Sequence, residues 1–276
     1  MNWIDALPMN WRAGSRPRCL LFTDGSRVEV AARLQALVAL PDVTVTAADT
    51  WTPRGLPIRR QDGSWDLRPT REAKLGEKAS FLDALQRETV TKWWLASVGK
   101  ANTPNWDVVS TCSISGKKGL LLVEAKAHRE ELEHEAGPKP SPKKSSEGSR
   151  ANHEKIRGAI ALARDGLRQA TALPWEIDRD THYQMSNRFA WAWKVATFGW
   201  SVVLIYLGFL DAEEMRSPVR HPLGSCAEWE QAVKSHSAAL FPPEVWGREW
   251  SVGGQRLFAL IRSLEQPLAT SIAPRL

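Results

Sequence analysis

Three charged residues near the middle of the chain have types and a spacing that suit metal chemistry. Asp107 follows an Asn-Trp pair, and Glu124 and Lys126 stand two residues apart at the end of the apolar run Leu120 to Val123. Residues two apart in a strand point to the same face, so Glu124 and Lys126 project together. An isolated acid-x-lysine triplet is usually a solvated strand face, but charges that end a buried strand need a partner or a function.

A predicted hairpin brings these three residues to one place. If the turn centres on Gly116-Lys117, Asp107 lies opposite Lys126 and diagonal to Glu124. If it centres on Ser115-Gly116, Asp107 lies opposite Glu124. The sequence leaves both registers open, and a two-residue shift preserves the face. Either register therefore places two acids and one lysine side by side.

Two carboxylates at this range repel each other and favour a cation between them. Hard oxygen ligands favour Mg²⁺, with Mn²⁺ able to substitute, and the carbonyl of Ala125 could add a third protein ligand. A metal bound to Asp107 and Glu124 would polarise a phosphodiester and activate a water molecule. Lys126 would then orient that water or stabilise the charge that develops on the phosphate. We therefore expect Asp107, Glu124 and Lys126 to be catalytic.

The pattern resembles a known superfamily. Asn105-Trp106-Asp107 followed by Glu124-Ala125-Lys126 is similar to the motif of the PD-(D/E)XK nucleases, over roughly residues 75–210. The resemblance implies an α/β fold with a restriction-endonuclease-like mixed central sheet flanked by helices. It also implies Mg²⁺-dependent hydrolysis of phosphodiester bonds in DNA. The chain departs from the family pattern in two respects: its proline is Pro104 and does not directly precede Asp107, and the strand that usually comes before the aspartate strand is not evident in the sequence.

Members of this superfamily often add an acid from the helix before the aspartate strand. Glu77 and Glu88 are the candidates in this sequence. They are eleven residues apart, about three helical turns, and so share a face. Both are expected as possible metal ligands, and the sequence does not choose between them. A glutamate at a helix start, such as Glu77, is also favourable simply through the helix dipole.

Contacts to nucleic acid are expected from two further segments. Gln184 and Arg188 stand on a predicted helix before the last core strand, where superfamily members often place polar residues near the active site or DNA. Lys143 and Lys144 lie in a basic segment, 136–150, rich in Pro, Ser and Lys, which predicts a flexible loop able to follow a phosphate backbone. An ordinary polar helix face and a solvated loop are the simpler interpretations of these two segments.

Hydrophobic periodicity predicts how the chain is organised. We expect an N-terminal extension or small subdomain over 1–74, a nuclease core over 75–210, and a helical C-terminal extension over 211–276. The predicted helices cover Ala31 to Leu40, residues 75–97, two segments around Ile156 to Leu167 and Met185 to Ala196, and then Ala227 to Leu240 and Gln255 to Leu264. The predicted strands are Val28 to Val30, Val43 to Thr46, Trp106 to Ile114, Gly119 to Ala125 and Trp200 to Leu210, and Thr52 to Thr70 is expected to be a surface loop.

Composition narrows the classes of protein. Lys and Arg number 37 against 31 Asp and Glu, a formal charge of +6 that suits a polyanionic partner such as DNA. Three cysteines without a CxxC pair suggest neither a zinc ribbon nor a disulfide framework. The longest apolar run is too short to cross a bilayer, and the N-terminus lacks a signal pattern, so we expect a cytoplasmic protein without membrane contact.

Three functional hypotheses remain open from the sequence. The first is a DNA nuclease, for which a homodimer is plausible because paired cutting of a duplex needs two active sites. The second is a nuclease directed at RNA. The third is a catalytically silent nuclease-fold module that binds nucleic acid, although such a module has no need for a cluster of like charges.

Overall fold

A mixed β-sheet with helices on both faces forms the centre of the protein. The computed structural model describes residues 2–78, 81–98, 101–140 and 146–268. The strands are β1 (Val43–Thr44), β2 (Trp51–Thr52), β3 (Ile58–Arg59), β4 (Trp65–Asp66), β5 (Ala73–Lys74), β6 (Asn105–Trp106), β7 (Val108–Ile114), β8 (Lys117–Lys126), β9 (Ser201–Leu210), β10 (Glu249–Val252) and β11 (Gln255–Glu265). The α-helices in these residues are α1 (Ser15–Phe22), α2 (Arg27–Val38), α3 (Ala84–Trp94), α4 (Arg129–Glu133), α5 (Glu147–Thr171), α6 (Tyr183–Ala196) and α7 (Cys226–Ser237).

The main sheet has seven strands of both orientations. Its order is β1-β7-β8-β9-β11-β10, with β2 also paired to β7. β8, β9 and β11 run parallel to one another, while β7 and β10 are antiparallel to their neighbours. β9 is buried along its whole length, as expected for a central strand covered on both faces. The expected α/β class with a mixed central sheet is thus observed.

Two apolar layers hold the helices against this sheet. Leu120 and Leu122 of β8 pack in the layer formed by α3, α5, α6 and α7. Leu121 and Val123, which alternate with them, pack in the opposite layer with α1 and α2. The alternation places Glu124 and Lys126 on the first of these faces, because they continue the even-numbered positions of β8. Both faces of the strand that carries the acid-x-lysine triplet are therefore covered.

The hairpin between β7 and β8 has the second of the two expected registers. Val108 pairs with Val123, so the turn centres on Ser115 and Gly116. Both turn residues have positive φ, 49° and 77°, as a two-residue hairpin turn of the primed type requires. The Val108–Val123 pair ends the ladder, and Asp107 is the next residue beyond it, beside Glu124.

Several predicted elements agree with the structure. α5 and α6 contain the two predicted periodic segments, and β8 and β9 overlap the predicted strands, whereas the strand predicted over Trp106 to Ile114 is interrupted at Asp107. The helix predicted around Ala227 corresponds to α7. The prediction of a strand at Val43 is confirmed as β1, which pairs with β7. The end of the predicted flexible loop 136–150 is helical, since α5 begins at Glu147.

Several predictions of secondary structure are wrong. Val28 to Val30 lies in α2, because Ser26 and Glu29 form a capping box that starts a helix there. The helix expected from residue 75 begins only at Ala84, where Asp83 caps it. The segment Gln255 to Leu264, expected to be helical, is the long strand β11.

Residues outside the expected core extend the same sheet. β1 and β2 pair with β7 from the N-terminal side, and β11 pairs with β9 from the C-terminal side. The C-terminal region is therefore not wholly helical as predicted. Thr52 to Thr70, expected to be a loop, contains the small hairpin β3–β4. No helix among the described residues is long and apolar enough to cross a membrane.

Candidate active site

Asp107 lies in the break between β6 and β7, at the edge where the hairpin ladder ends. Its side chain is half-buried, and its Oδ2 accepts a hydrogen bond of 2.8 Å from the backbone N–H of Ala125. The contact fixes the carboxylate beside the strand that carries Glu124. Since N–H and C=O of one residue in an antiparallel strand point to the same side, the Ala125 carbonyl faces this edge as well.

Glu124 is buried and is surrounded by three donors. Its Oε1 accepts hydrogen bonds from Lys126 Nζ and Gln184 Nε2, both at 2.5 Å. Its Oε2 accepts one from Arg188 Nε, also at 2.5 Å. Gln184 and Arg188 stand four residues apart on α6, so one helix face delivers both. The Arg188 guanidinium also lies 4.6 Å from the centre of the Trp106 ring.

Lys126 is held between two buried carboxylates. Its Nζ lies 2.5 Å from Glu124 Oε1 and 2.5 Å from Glu135 Oε1. Glu135 belongs to a single 3₁₀ turn, His134–Ala136, that directly follows α4. The neighbouring Glu131 ties α4 to the end of β8, because its Oε2 accepts a 2.7 Å hydrogen bond from Ala127 N–H. The short acidic segment after β8 thus folds back and fixes the lysine in place.

The charges in the site influence one another strongly. Burial, together with repulsion from Glu124, raises the pKa of Asp107 to about 7. Burial also favours the neutral form of Glu124, but Arg188 and Lys126 outweigh this and lower its pKa to about 2. For Lys126, burial favours the neutral amine, yet Glu124 and Glu135 hold its pKa above the ordinary value. Burial raises the pKa of Glu135 to about 8. Of the two acids Asp107 and Glu124, Glu124 is therefore the one that stays ionised at neutral pH.

These side chains line one open cavity of about 450 Å³. Asp107, Glu124, Ala125, Lys126, Gln184 and Arg188, all selected from the sequence, contribute to its wall. Ser15, at the start of α1, also lines the cavity. The remaining lining residues are Glu72, Asn105, Glu131 and His134. The tertiary structure thus gathers six of the selected residues around a space large enough for a phosphodiester group.

The site offers oxygen donors of the kind that a hard divalent cation binds. In the described residues, no group of three or more His, Cys, Asp and Glu side chains is arranged to hold a metal ion. The pocket does supply two carboxylates and a backbone carbonyl, the oxygen donors that Mg²⁺ prefers alongside water and phosphate. Glu124 Oε2 accepts only the bond from Arg188, and the bond from Ala125 N–H leaves Oδ1 of Asp107 for another ligand. Asp107, Glu124 and the Ala125 carbonyl are the residues that would hold the ion.

The two helix acids proposed as ligands do not line this cavity. Glu88 lies on the exposed side of α3 and pairs with Lys92 at 2.6 Å. Glu77 lies in the turn after β5, outside the helix, and pairs with Lys74 at 3.0 Å. The assumption that both stand on one helix is wrong because the capped start of α3 excludes Glu77. Neither is placed as a ligand of an ion between Asp107 and Glu124.

Of the four residues expected to contact nucleic acid, the structure describes Gln184 and Arg188. Gln184 and Arg188 face the pocket and donate hydrogen bonds to Glu124, and Arg188 is buried. Their contact with nucleic acid stays a prediction. Lys143 and Lys144 lie outside the described residues.

Sequence reasoning missed Glu72, Glu131 and Glu135. Glu131 and Glu135 are four residues apart in an acidic stretch just after the triplet, a helical spacing that could have indicated two acids on one face. Glu72 carried no such signal. It reaches the pocket because β5 pairs with β6, and it binds Arg16 at 3.1 Å and the side-chain amide of Asn105.

Comparisons with protein-family models, with curated proteins and with solved structures found no match to this chain.

Proposed function

We propose that this protein is a Mg²⁺-dependent nuclease of the PD-(D/E)XK type with a restriction-endonuclease-like core, acting on phosphodiester bonds in DNA. The observation that carries the proposal is the meeting of Asp107, Glu124 and Lys126 on one side of a hairpin, in an open cavity. Asp107, seventeen residues earlier in the chain than Glu124, meets Glu124 and Lys126 there, and Ala125 lines the same cavity. The net positive charge of the chain suits a polyanionic substrate.

Each residue has a definable task in this proposal. Asp107, Glu124 and the Ala125 carbonyl would hold the ion, which supplies Lewis-acid polarisation of the phosphate and a more acidic bound water. Lys126, protonated and fixed between Glu124 and Glu135, presents a positive charge to the phosphate as negative charge accumulates on its oxygens. Gln184 and Arg188 hold the Glu124 carboxylate in one orientation.

A second function is favoured by one observation. Glu124 already accepts three hydrogen bonds and pairs with the two cationic side chains Lys126 and Arg188. Its charge is therefore compensated without a metal ion, which suits a module that binds nucleic acid and does not cleave it. The catalytically silent module therefore remains the alternative. The same experiment separates the two functions, and parallel substrates separate DNA from RNA.

The test is cleavage of end-labelled linear, circular and single-stranded DNA, with RNA alongside, in Mg²⁺, Mn²⁺ or EDTA. We expect metal-dependent cleavage that falls at least about 1000-fold in Asp107→Asn and Glu124→Gln, and at least about 100-fold in Lys126→Met. Glu88→Gln, which changes an exposed acid outside the cavity, serves as the matched control and should retain activity. Undiminished cleavage by Asp107→Asn or in excess EDTA would refute the mechanism.

A further inference from the structure

A second cavity of about 490 Å³ opens beside the candidate active site. Glu72 lines both cavities, so they share a wall. The segment that forms the second cavity is joined to the first by backbone pairing. Ala73 pairs with Trp106 and Lys74 with Asn105, directly before Asp107. A chain molecule lying in one cavity would thus be led to the other.

Residues 54–71, here named the arginine arm, provide half of the residues that line the second cavity. The arm contains five arginines and two aspartates, with no lysine or glutamate, a net charge of +3 over 18 residues. Arg68 and Arg60 both approach Asp66, at 2.5 and 3.6 Å, so part of this charge is compensated. Arg54 and Arg71 line the cavity, are exposed, and form no ion pair within the described part of the chain.

The arm is fixed to the body of the protein. Leu56 and Trp65 pack against a buried cluster that includes Leu20 of α1. Backbone hydrogen bonds from Arg54 N–H to the Pro69 carbonyl, at 2.7 Å, and the β3–β4 pairing close the arm on itself. Guanidinium groups on a scaffold held in this way are already positioned for a ligand, which lowers the entropy cost of binding.

We propose that the arginine arm is a binding track for a nucleic-acid backbone, which it leads into the pocket of Asp107 and Glu124. Arg54 and Arg71 are the phosphate contacts, because a planar guanidinium without a carboxylate partner binds phosphate oxygens in a bidentate manner. Phe81 and the exposed Ile58 also line this cavity and offer apolar surface beside the phosphates. That the guided strand is cut in the pocket rests on the proposed nuclease function.

The test measures binding without cleavage. Fluorescein-labelled single-stranded DNA, duplex DNA and RNA of 20 nucleotides or base pairs (roughly two helical turns) are titrated in EDTA at several NaCl concentrations. The readout is fluorescence anisotropy. The test variant is Arg54→Gln with Arg71→Gln. The matched control is Arg220→Gln with Arg248→Gln, two exposed arginines that line neither cavity. Circular dichroism and thermal unfolding of each variant check the fold.

We expect the arm variant to bind about tenfold more weakly per lost phosphate contact at low salt. The slope of log K against log salt should fall by about 0.9 per contact on duplex and about 0.7 on single strands. The control variant should match the wild type. The inference is overturned if the arm variant keeps the wild-type affinity and slope, if the wild type binds none of the three probes, or if it binds polyglutamate equally well.

The binding test and the cleavage test can fail independently of each other. If the wild type binds through the arginine arm in EDTA but never cleaves with Mg²⁺ or Mn²⁺, the nuclease proposal is refuted and the binding role of the arm is supported. If the wild type cleaves and the arm variant binds as tightly as the wild type, the binding role of the arm is refuted and the nuclease proposal is supported.

Discussion

Asp107 and Glu124 are expected to have opposite effects on folding stability, although they belong to one site and carry the same charge. Ionised Asp107 is disfavoured in the folded protein by burial and by Glu124. Ionised Glu124 is favoured by Arg188 and Lys126, which outweigh its burial. We therefore predict that Asp107→Asn stabilises the metal-free protein, whereas Glu124→Gln destabilises it.

The size of each effect follows from the contacts. A rise in the pKa of Asp107 from 3.8 to about 7 sets a ceiling of about 4 kcal/mol above pH 7, at about 1.4 kcal/mol per pH unit. The side chain is only half-buried and solvent screens part of this, so we expect about 1–2 kcal/mol. An asparagine still accepts the bond from Ala125 N–H. Glu124→Gln removes the carboxylate that Arg188 pairs with and one of the two that hold Lys126, and losing one partner of a buried ion pair costs about 3–5 kcal/mol.

The pH dependence has a definite sign for each acid. The folded state keeps the Asp107 proton up to about pH 7, whereas the unfolded chain releases it near 3.8. The penalty is therefore absent below about pH 4, grows as pH rises, and is complete above about pH 7. For Glu124 the folded pKa is the lower one, so its stabilisation is present above the unfolded value of 4.5 and is lost as pH falls towards 2.

The assay is urea unfolding in EDTA, followed by tryptophan fluorescence, at pH 5, 6, 7 and 8. The advantage of Asp107→Asn over the wild type should grow from pH 5 to pH 8. Glu124→Gln should be the less stable protein throughout this range. Glu88→Gln, an exposed control, should stay within about 0.5 kcal/mol of the wild type. The electrostatic reasoning is refuted if both pocket substitutions shift stability in the same direction at pH 8, or if the Asp107→Asn difference does not depend on pH.

Of three further predictions, the first concerns a residue that contacts Lys126, and the other two concern the packing of the fold. Glu135→Gln, assayed above pH 8 where Glu135 is ionised, should lower kcat by about tenfold with little change in KM, because Lys126 loses one of its two anchoring charges; steady-state kinetics on labelled DNA checks this. Asn152→Ala should cost about 2–3 kcal/mol in urea unfolding, because its buried side chain satisfies two backbone N–H groups and one carbonyl just after α3. Gly208→Ala should cost about 1–3 kcal/mol, since a Cβ there would lie 2.6 Å from the Trp229 ring; an unchanged melting temperature would contradict that packing.

The central elements could be predicted from local pattern. The apolar run of β9 and the periodic positions of α5 and α6 each specify their element from within the segment. Gly116 limited the hairpin to two registers, because a tight turn needs a residue that accepts a positive φ. The β11 segment was misassigned since its buried apolar residues could equally belong to a helix. Its strand conformation comes from pairing with β9, 55 residues earlier in the chain.

The sequence by itself determined that Asp107, Glu124 and Lys126 share one face, because the two-residue period of a strand and a short turn are local properties. Only the tertiary structure decided what surrounds them. Gln184 and Arg188 reach Glu124 from α6, Glu135 reaches Lys126 from a turn after α4, and Glu72 arrives through the β5–β6 pairing. These contacts depend on how helices and connections pack on the sheet, and a charged side chain carries no local signal of which distant partner compensates it.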